Sequence, residues 1–170
     1  MTYRIACARY CPPMQGSVTV HMNAPAKVVW DLVSDVTRIG EFSPETFEAE
    51  WLDGATGPAV GAHFRGHVKR NGVGPIYWTK CKVTSCEPER DFGFGVYGGG
   101  ARVNNWRYEL TPTDDGGTDV TESFQLEQRG VLKVYWALLG KLRGKTNENG
   151  MRKTLERIKA VAEAEAATNG

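Results

Sequence analysis

Apolar and polar residues alternate over most of the chain. Near the start, Val18, Val20 and Met22 share one face of an extended segment, while polar residues occupy the other face. Alternation of this kind predicts a strand with one buried side. The residues before it have no regular period, so we expect residues 1–16 to form an N-terminal extension and residues 17–166 to form one domain.

The pattern then becomes helical for a short stretch. Pro25 suits the first position of a helix, and apolar residues recur at helical spacing from Val28 to Val33. A second short helix or turn is predicted for residues 35–39, next to Gly40. Two short helices therefore separate the first predicted strand from the rest of the chain.

A series of strands follows, each bounded by turn residues. Asn71-Gly72 and the run Asp114–Gly117 are strong turn signals. Because short turns join successive strands, neighbouring strands are expected to be antiparallel. The predicted strands cover residues 46–52, 61–70, 76–86, 92–97, 103–110 and 118–126.

Helical spacing returns at the end of the chain. Apolar residues from Val131 to Leu142 predict one helix, and Gly144 together with residues 147–150 is expected to interrupt it. From Met151 onward, apolar residues recur every three to four positions while charged residues occupy the opposite face. This spacing predicts a long amphipathic C-terminal helix.

The order of these elements defines the expected fold. One strand, two short helices, six strands and a long helix exclude a doubly wound parallel sheet, because parallel neighbours need crossover helices between them. An antiparallel sheet of about seven strands twists and curls, and the long helix must bury its apolar stripe against that sheet. We therefore expect an α+β helix-grip fold, in which a curved antiparallel sheet wraps the C-terminal helix and encloses a cavity.

Length, charge and cysteine content narrow the class of protein. A chain of 170 residues is sufficient for one domain with a sizeable core. Its formal net charge of +1 gives no electrostatic reason to expect a nucleic-acid partner. We find no secretory signal or membrane span in the sequence, and the four cysteines are too scattered for a disulfide framework. A cytoplasmic protein is expected.

Two sequence motifs resemble a nucleotide-binding site and a metal-binding site, but the secondary structure predicted around them does not fit either function. Residues 93–98 spell GxGxxG, but a dinucleotide fingerprint must lead from a strand into a helix, and another strand is predicted to follow. His63 and His67 would share one side of a strand, yet they would lie roughly 13 Å apart, too far to share a metal ion. We therefore expect no nucleotide site, no metal site and no cofactor.

Glu122 is the candidate catalytic residue. Alternation places its carboxylate on the same face as Val120 and Phe124, toward the predicted interior between sheet and helix. Burial raises the pKa of a carboxyl group, which would suit Glu122 to exchange protons near neutral pH. The alternatives are a structural ion pair with Arg107 or another base, and a register in which Glu122 faces water.

Several short segments of residues 17–166 share their order and spacing with a known family. They are Ala24-Pro25 with Val29-Trp30-Asp31, Glu41–Glu45, Gly61 with Phe64-Arg65-Gly66, Trp106–Leu110, Gly117–Ser123 and Met151–Lys159. With these segments the sequence resembles the polyketide cyclase/dehydrase and lipid transport branch of the START-like (SRPBCC, helix-grip) superfamily. The resemblance implies a cavity for a hydrophobic ligand between sheet and helix, and it does not imply catalysis.

The expected ligand-binding residues lie on inward faces of the strands and on the C-terminal helices. Trp106 and Tyr108 share one face of a strand, and their polar groups in an apolar wall favour a place in the cavity lining over plain core. The full set is Phe64, Cys81, Phe94, Trp106, Tyr108, Phe124, Leu139 and Leu155.

Residues 131–145 combine aromatic and basic side chains. Tyr135 and Trp136 neighbour lysines and an arginine, which is typical of a helix that contacts a membrane surface transiently. The alternative interpretation is a lid or core helix with a solvated basic flank. Oligomeric state does not follow from the sequence.

The expected function is the binding and sequestration or transport of a small hydrophobic ligand, such as a lipid, a polyketide or an aromatic metabolite. The alternative is a polyketide cyclase or dehydratase that uses the same cavity, with Glu122 as general acid/base. The absence of a second convincing titratable partner weighs against an enzyme. A protein-interaction module would instead have a filled interior and an exposed apolar patch.

Overall fold

The described part of the chain is an α+β structure of seven strands and three α-helices. The structure, a computed structural model, describes residues 15–70, 74–127 and 132–169, and it describes only the backbone of residues 132–145 and 169. The first elements are β1 (Gln15–Met22), α1 (Ala26–Ser34), a 3-10 turn (Val36–Arg38) and α2 (Ile39–Phe42). The remaining elements are β2 (Thr46–Trp51), β3 (His63–Lys69), β4 (Ile76–Glu87), β5 (Asp91–Gly98), β6 (Ala101–Pro112), β7 (Thr118–Leu126) and α3 (Leu132–Asn169).

All seven strands form one curved antiparallel sheet in the order β1-β7-β6-β5-β4-β3-β2. The helix-grip fold expected from the sequence is thereby confirmed. β1 and β2 lie at opposite edges of the sheet although they are consecutive strands. The two short helices therefore carry the chain from one edge of the sheet to the other.

The inner face of the sheet is largely apolar, because successive side chains of a strand point to opposite faces and the apolar residues occupy the inward positions. On β5, Phe92 and Phe94 are buried inward. Gly93 and Gly95 alternate with them; a Cβ on Gly93 would lie 2.5 Å from Ser85 Oγ. The GxGxxG motif therefore lies within a strand and leads to another strand, as the sequence predicted.

The C-terminal helix differs from its prediction in one respect. The expected interruption at Gly144 and residues 147–150 is wrong, since α3 continues from Leu132 to Asn169 without a break. A glycine inside a helix costs only about 1 kcal/mol relative to alanine. Packing of the apolar stripe, which includes Met151 and Leu155, offsets that cost.

α3 contacts β1 most extensively, and it also contacts α1, α2 and β7. Its buried residues Met151, Leu155, Ile158 and Ala162 are all at most 1% exposed. Because the helix packs toward one edge of the sheet, the inner faces of the other strands are covered less closely. This geometry leaves a space between the sheet and the helix.

The short helix α2 packs closely on β2. A Cβ added to Gly40 would lie 2.2 Å from the carbonyl oxygen of Phe47, so only glycine allows this approach. Ser43 follows the helix, and its hydroxyl accepts hydrogen bonds from the backbone N–H groups of Glu45 (3.2 Å) and Thr46 (2.9 Å). This turn brings residues 43–46 to the border of the space under the sheet.

Candidate functional site

A pocket of about 610 Å³ lies between the inner face of the sheet and α3. Pockets of a few hundred to about 1,000 Å³ typically hold a small-molecule ligand. β3, β4, β5 and β6 supply most of the wall, and α3 supplies the opposite side from Thr146 to Thr154. The turn at residues 43–46 completes the border.

Most of the side chains predicted to face a ligand lie in this wall. Each comes from the inward face of its strand, as the alternation pattern required. Five predicted ligand-binding residues and the predicted catalytic residue line the pocket, namely Phe64, Cys81, Phe94, Trp106, Tyr108 and Glu122.

The other predicted residues have different positions. Phe124 is 3% exposed and contacts Trp106, with 5.6 Å between ring centroids, but it does not line this pocket. Leu155 is fully buried in the core beneath α3 and does not line the pocket either. Leu139 belongs to α3, but its side chain lies outside the described residues.

Part of the wall is a cluster of aromatic rings. Phe64 contacts Phe94 edge to face with 5.2 Å between centroids, and Trp51 contacts Phe64 with 5.7 Å between centroids. Edge-to-face packing of this kind fixes the rings in place. Burial raises the pKa of the neighbouring Cys81 thiol to about 12. Cys81 therefore contributes a neutral, weakly polar surface and not a nucleophilic thiolate.

Glu122 is the acidic residue buried in this wall. It lies on β7 directly opposite Tyr108 on β6, and it is 4% exposed. The Tyr108 hydroxyl donates a hydrogen bond to Glu122 Oε1 over 3.0 Å. The other carboxyl oxygen, Oε2, is buried and has no hydrogen-bond partner among the described residues.

The environment of Glu122 favours its protonated form. Burial raises the pKa of this carboxyl group to about 8, and the hydrogen bond from Tyr108 opposes that shift only in part. Burial also holds the pKa of Tyr108 well above its usual range, and the nearby carboxyl adds to the effect. At neutral pH the site therefore contains a neutral carboxylic acid and a neutral phenol.

The ion pair considered for Glu122 from the sequence is not formed with Arg107. The guanidinium of Arg107 instead donates to Asp91 over 2.5 Å and lies 3.3 Å from Glu109. The pairing of Glu122 with Arg107 and the register in which Glu122 faces water are therefore wrong. Glu122 faces the pocket.

Several polar residues of the pocket were not predicted from the sequence. Asn104 lies two residues before Trp106 on the same face of β6, so the alternation pattern contained the signal for it. Its Oδ1 atom is buried without a hydrogen-bond partner among the described residues. Asn147 and Thr154 line the pocket from α3. They were not predicted because the helix was expected to be interrupted at residues 147–150, so the two residues were not placed on one face of a continuous helix.

The border of the pocket is charged. Arg70 and Lys153 line it and are exposed to solvent, whereas Glu45 is half-buried. The border of the pocket is therefore positively charged, whereas the wall further inside is largely apolar and contains the neutral carboxyl group of Glu122. Neither cation was predicted from the sequence, because their positions depend on how the end of β3 faces α3.

The histidines of β3 are engaged by acidic neighbours. His63 Nδ1 lies 3.0 Å from Asp53, and His67 Nδ1 lies 3.1 Å from Glu48. The ring of His67 also stacks on Trp78 with 4.2 Å between centroids. In residues 15–70, 74–127 and 132–169, no cluster of three or more histidine, cysteine or acidic side chains is positioned to hold a metal ion. No helix in the described part of the chain is long and apolar enough to cross a bilayer.

The curved sheet, the long helix and the pocket between them define the helix-grip class. The family model for polyketide cyclase/dehydrase and lipid transport matches residues 14–163. The chain therefore belongs to that family. No match is found among the curated proteins.

Solved structures of similar proteins agree with the fold. The polyketide-cyclase-like protein Cgl2372 of Corynebacterium glutamicum is 30% identical, with a TM-score of 0.63 over 91% of this chain and 94% of that chain. TTHA0849 of Thermus thermophilus is 17% identical, with a TM-score of 0.67 over 89% of this chain and 99% of that one. The di-domain ARO/CYC protein StfQ from the steffimycin biosynthetic pathway is 15% identical, with a TM-score of 0.61 over 88% of this chain and 44% of StfQ.

Proposed function

We propose that the protein binds a small hydrophobic molecule in the pocket between sheet and α3 and sequesters or transports it. The observation that supports this proposal most directly is the pocket of about 610 Å³ with its aromatic wall. Burial of apolar ligand surface contributes roughly 25 cal/mol per Å², so a ligand that fills the pocket gains most of its affinity from the wall. The ligand classes proposed are lipids, polyketides and aromatic metabolites, and the proposed compartment is the cytoplasm.

Family membership supports the same class of function. The family description joins cyclases and dehydrases with lipid transport, and both activities require a site for a largely apolar molecule. The membrane contact predicted for residues 131–145 belongs to a segment whose side chains lie outside the described residues. It stays a prediction.

A second candidate function is that of a cyclase or dehydratase. The observation that favours it is Glu122, whose pKa of about 8 suits proton transfer near neutral pH. Tyr108 is its hydrogen-bonded neighbour, and burial keeps that phenol neutral, which makes Tyr108 a weak second acid or base. An enzyme of this type would use a pair of groups as acid and base, whereas Glu122 is the group in this wall whose pKa is suitable. The site therefore supports a binding role better than a catalytic role.

Native mass spectrometry of the protein purified from its own organism tests the binding proposal. A stoichiometric small molecule that dissociates on unfolding is the expected result. If the protein is repeatedly free of any such molecule and binds no apolar probe, the proposed function is wrong.

Replacement of Glu122 by glutamine separates the two candidates once the molecule is identified. A binding protein should retain its ligand with nearly unchanged affinity, because glutamine is neutral and has the same shape. An enzyme that uses Glu122 as acid or base should lose turnover by about 10²-fold or more.

A further inference from the structure

We propose that the bound molecule carries a neutral hydrogen-bond acceptor, such as a ketone carbonyl, and that this group accepts a hydrogen bond from the side chain of Glu122. This inference rests on the proposed function, and it adds the chemical class of the group that the ligand presents to the pocket wall.

The unpartnered oxygen of Glu122 is the starting point. Oε1 receives the hydroxyl of Tyr108 at 3.0 Å, whereas Oε2 is buried and has no partner among the described residues. Buried polar atoms in proteins nearly always have a partner, and an atom left without one is destabilising. Since Glu122 lines the pocket, a bound molecule is the partner that the geometry leaves open.

The protonation state determines which ligand group fits. The Tyr108 hydroxyl donates a hydrogen bond to Oε1, so the acidic proton of a neutral Glu122 lies on Oε2, and Oε2 then acts as a donor. Such a donor needs an acceptor on the ligand. A ketone carbonyl offers an acceptor without introducing a charge into the apolar wall.

No described cation compensates a negative charge at this position. The other titratable groups that line the pocket are Glu45, Arg70, Tyr77, Cys81, Tyr108 and Lys153. Of these, only Tyr108 forms a hydrogen bond with Glu122, and neither Arg70 nor Lys153 forms an ion pair with it. An ionised Glu122 would therefore be a buried charge without a partner, which is strongly unfavourable.

Charged ligand groups satisfy the site less well. A ligand carboxylate would bring a buried negative charge into a wall where no described cation contacts Glu122. A ligand ammonium would require Glu122 to ionise, and desolvation of both charges offsets much of their attraction. The neutral acceptor is favoured because it alone pairs with Oε2 at no electrostatic cost.

A matched set of naphthalene probes tests this inference by isothermal titration calorimetry. The set is 2-acetylnaphthalene, 2-ethylnaphthalene, 2-naphthoate and 1-(2-naphthyl)ethylamine, which share one ring system and differ in one substituent. At about pH 6, the acetyl compound is expected to bind about tenfold more tightly than the ethyl compound, the difference that one net hydrogen bond supplies. At about pH 9.5 this preference should disappear, because Glu122 then loses its proton.

Two substitutions at Glu122 isolate the donor. Glu122→Gln keeps a neutral N–H donor beside Tyr108, so the acetyl preference should persist at both pH values. Glu122→Met removes the donor, so the preference should disappear at both pH values while the ethyl compound still binds. If Glu122→Met does not fold, comparison of the wild-type chain with Glu122→Gln is sufficient. The preference for the acetyl compound should disappear at about pH 9.5 in the wild-type chain and persist in Glu122→Gln.

The possible results distinguish this inference from the proposed function. Equal affinity for the acetyl and ethyl compounds in the wild-type chain at about pH 6 overturns the inference and leaves an apolar binding pocket intact. Tighter binding of the amine or the carboxylate also overturns it. If none of the four probes binds, the proposed function fails, and the inference fails with it.

Discussion

Glu163 on α3 accepts two hydrogen bonds from Asn23, one from the backbone N–H at 2.8 Å and one from the side-chain amide at 3.0 Å. Asn23 directly follows β1, so these bonds attach the second half of α3 to the edge of the sheet. Lys159, one turn earlier on α3, donates to the carbonyl oxygen of His21 at 2.8 Å. The helix is thus held by polar contacts at its far end and by apolar contacts beside the pocket.

Replacement of Glu163 by alanine should weaken this attachment. We expect a loss of about 1 kcal/mol in the free energy of unfolding, because hydrogen bonds to a partly exposed charged acceptor contribute modestly. The bonds from Asn23 lower the pKa of Glu163, so their contribution is present above the ordinary glutamate pKa and is lost as the pH falls through the lowered value. Urea unfolding at neutral pH and at about pH 3 measures both effects.

Glu156→Ala is the matched control, since Glu156 is an exposed residue of the same helix. It should change stability by less than about 0.5 kcal/mol. Equal effects of the two substitutions at neutral pH would contradict the role assigned to Glu163.

Glu122 should make the protein less stable as the pH rises. Its pKa is about 8 in the folded chain and close to the ordinary 4.5 when unfolded, so between these values the unfolded state releases a proton that the folded state keeps. The free energy of unfolding therefore falls across this window, by an amount on the order of 5 kcal/mol. Glu122→Gln should lack this component and be more stable than the wild-type chain at about pH 9.

Comparison of the two chains by urea unfolding at about pH 5, 7 and 9 tests this prediction. The pKa of His21 is also raised, mainly by its hydrogen bond with Asp119, and its stabilising effect is likewise lost as the pH rises. Because His21 is common to both chains, its effect cancels in the difference. Parallel pH profiles would mean that Glu122 is not buried in its neutral form.

Gly40→Ala should disrupt the contact between α2 and β2. The added Cβ would lie 2.2 Å from the Phe47 carbonyl oxygen, which is backbone and cannot move aside cheaply. We expect a loss of roughly 1–3 kcal/mol, the typical cost of overpacking in a well-packed region. Gly57→Ala is the control, since no atom lies within 4 Å of its added Cβ. Similar thermal unfolding midpoints for the two variants would contradict the close packing.

Val96→Phe should reduce the binding of apolar probes. Val96 lines the pocket, and a phenyl ring there occupies space that a ligand needs. Phenylalanine is compatible with a strand, so the fold should be retained. We expect at least about tenfold weaker binding of 2-ethylnaphthalene, measured by calorimetry, since the lost contact area is that of several methylene groups.

Val103→Phe is the matched control for the pocket. Val103 is a half-buried residue of the neighbouring strand β6, and it does not line the pocket. This variant should bind the probe as the wild-type chain does. If both substitutions weaken binding equally, the probe does not bind between the sheet and α3.

The fold was predictable because the sheet has one buried face. Alternation with a period of two places Phe64, Phe94, Trp106 and Glu122 on the inward side, and a shift by one residue would reverse every one of them. The sequence therefore contained the identity of the inward residues. It also indicated that successive strands from β3 to β7 are neighbours, since short connections join them, whereas the pairing of β1 with β7 did not follow from the turns.

The outline of the pocket was less predictable, because alternation says which way a side chain points and not what it meets. Phe124 and Leu155 point inward as predicted, yet they meet other core residues where the sheet and α3 are in contact. Asn104 points inward on the same pattern and meets the pocket. The separation between sheet and helix depends on the curvature of the whole sheet, which no local pattern specifies.

The continuity of α3 has a consequence for how the pocket admits a molecule. Over its 38 residues the helix is about 57 Å long, and from Met151 to Asn169 it contains neither glycine nor proline, the residues at which helices usually bend. The turns bearing Met151 and Thr154 therefore cannot swing aside as a separate flap while Asn23 holds Glu163. The part of the pocket wall formed by Met151 and Thr154 is therefore expected to keep its position when a ligand binds, which favours ligands whose shape matches it.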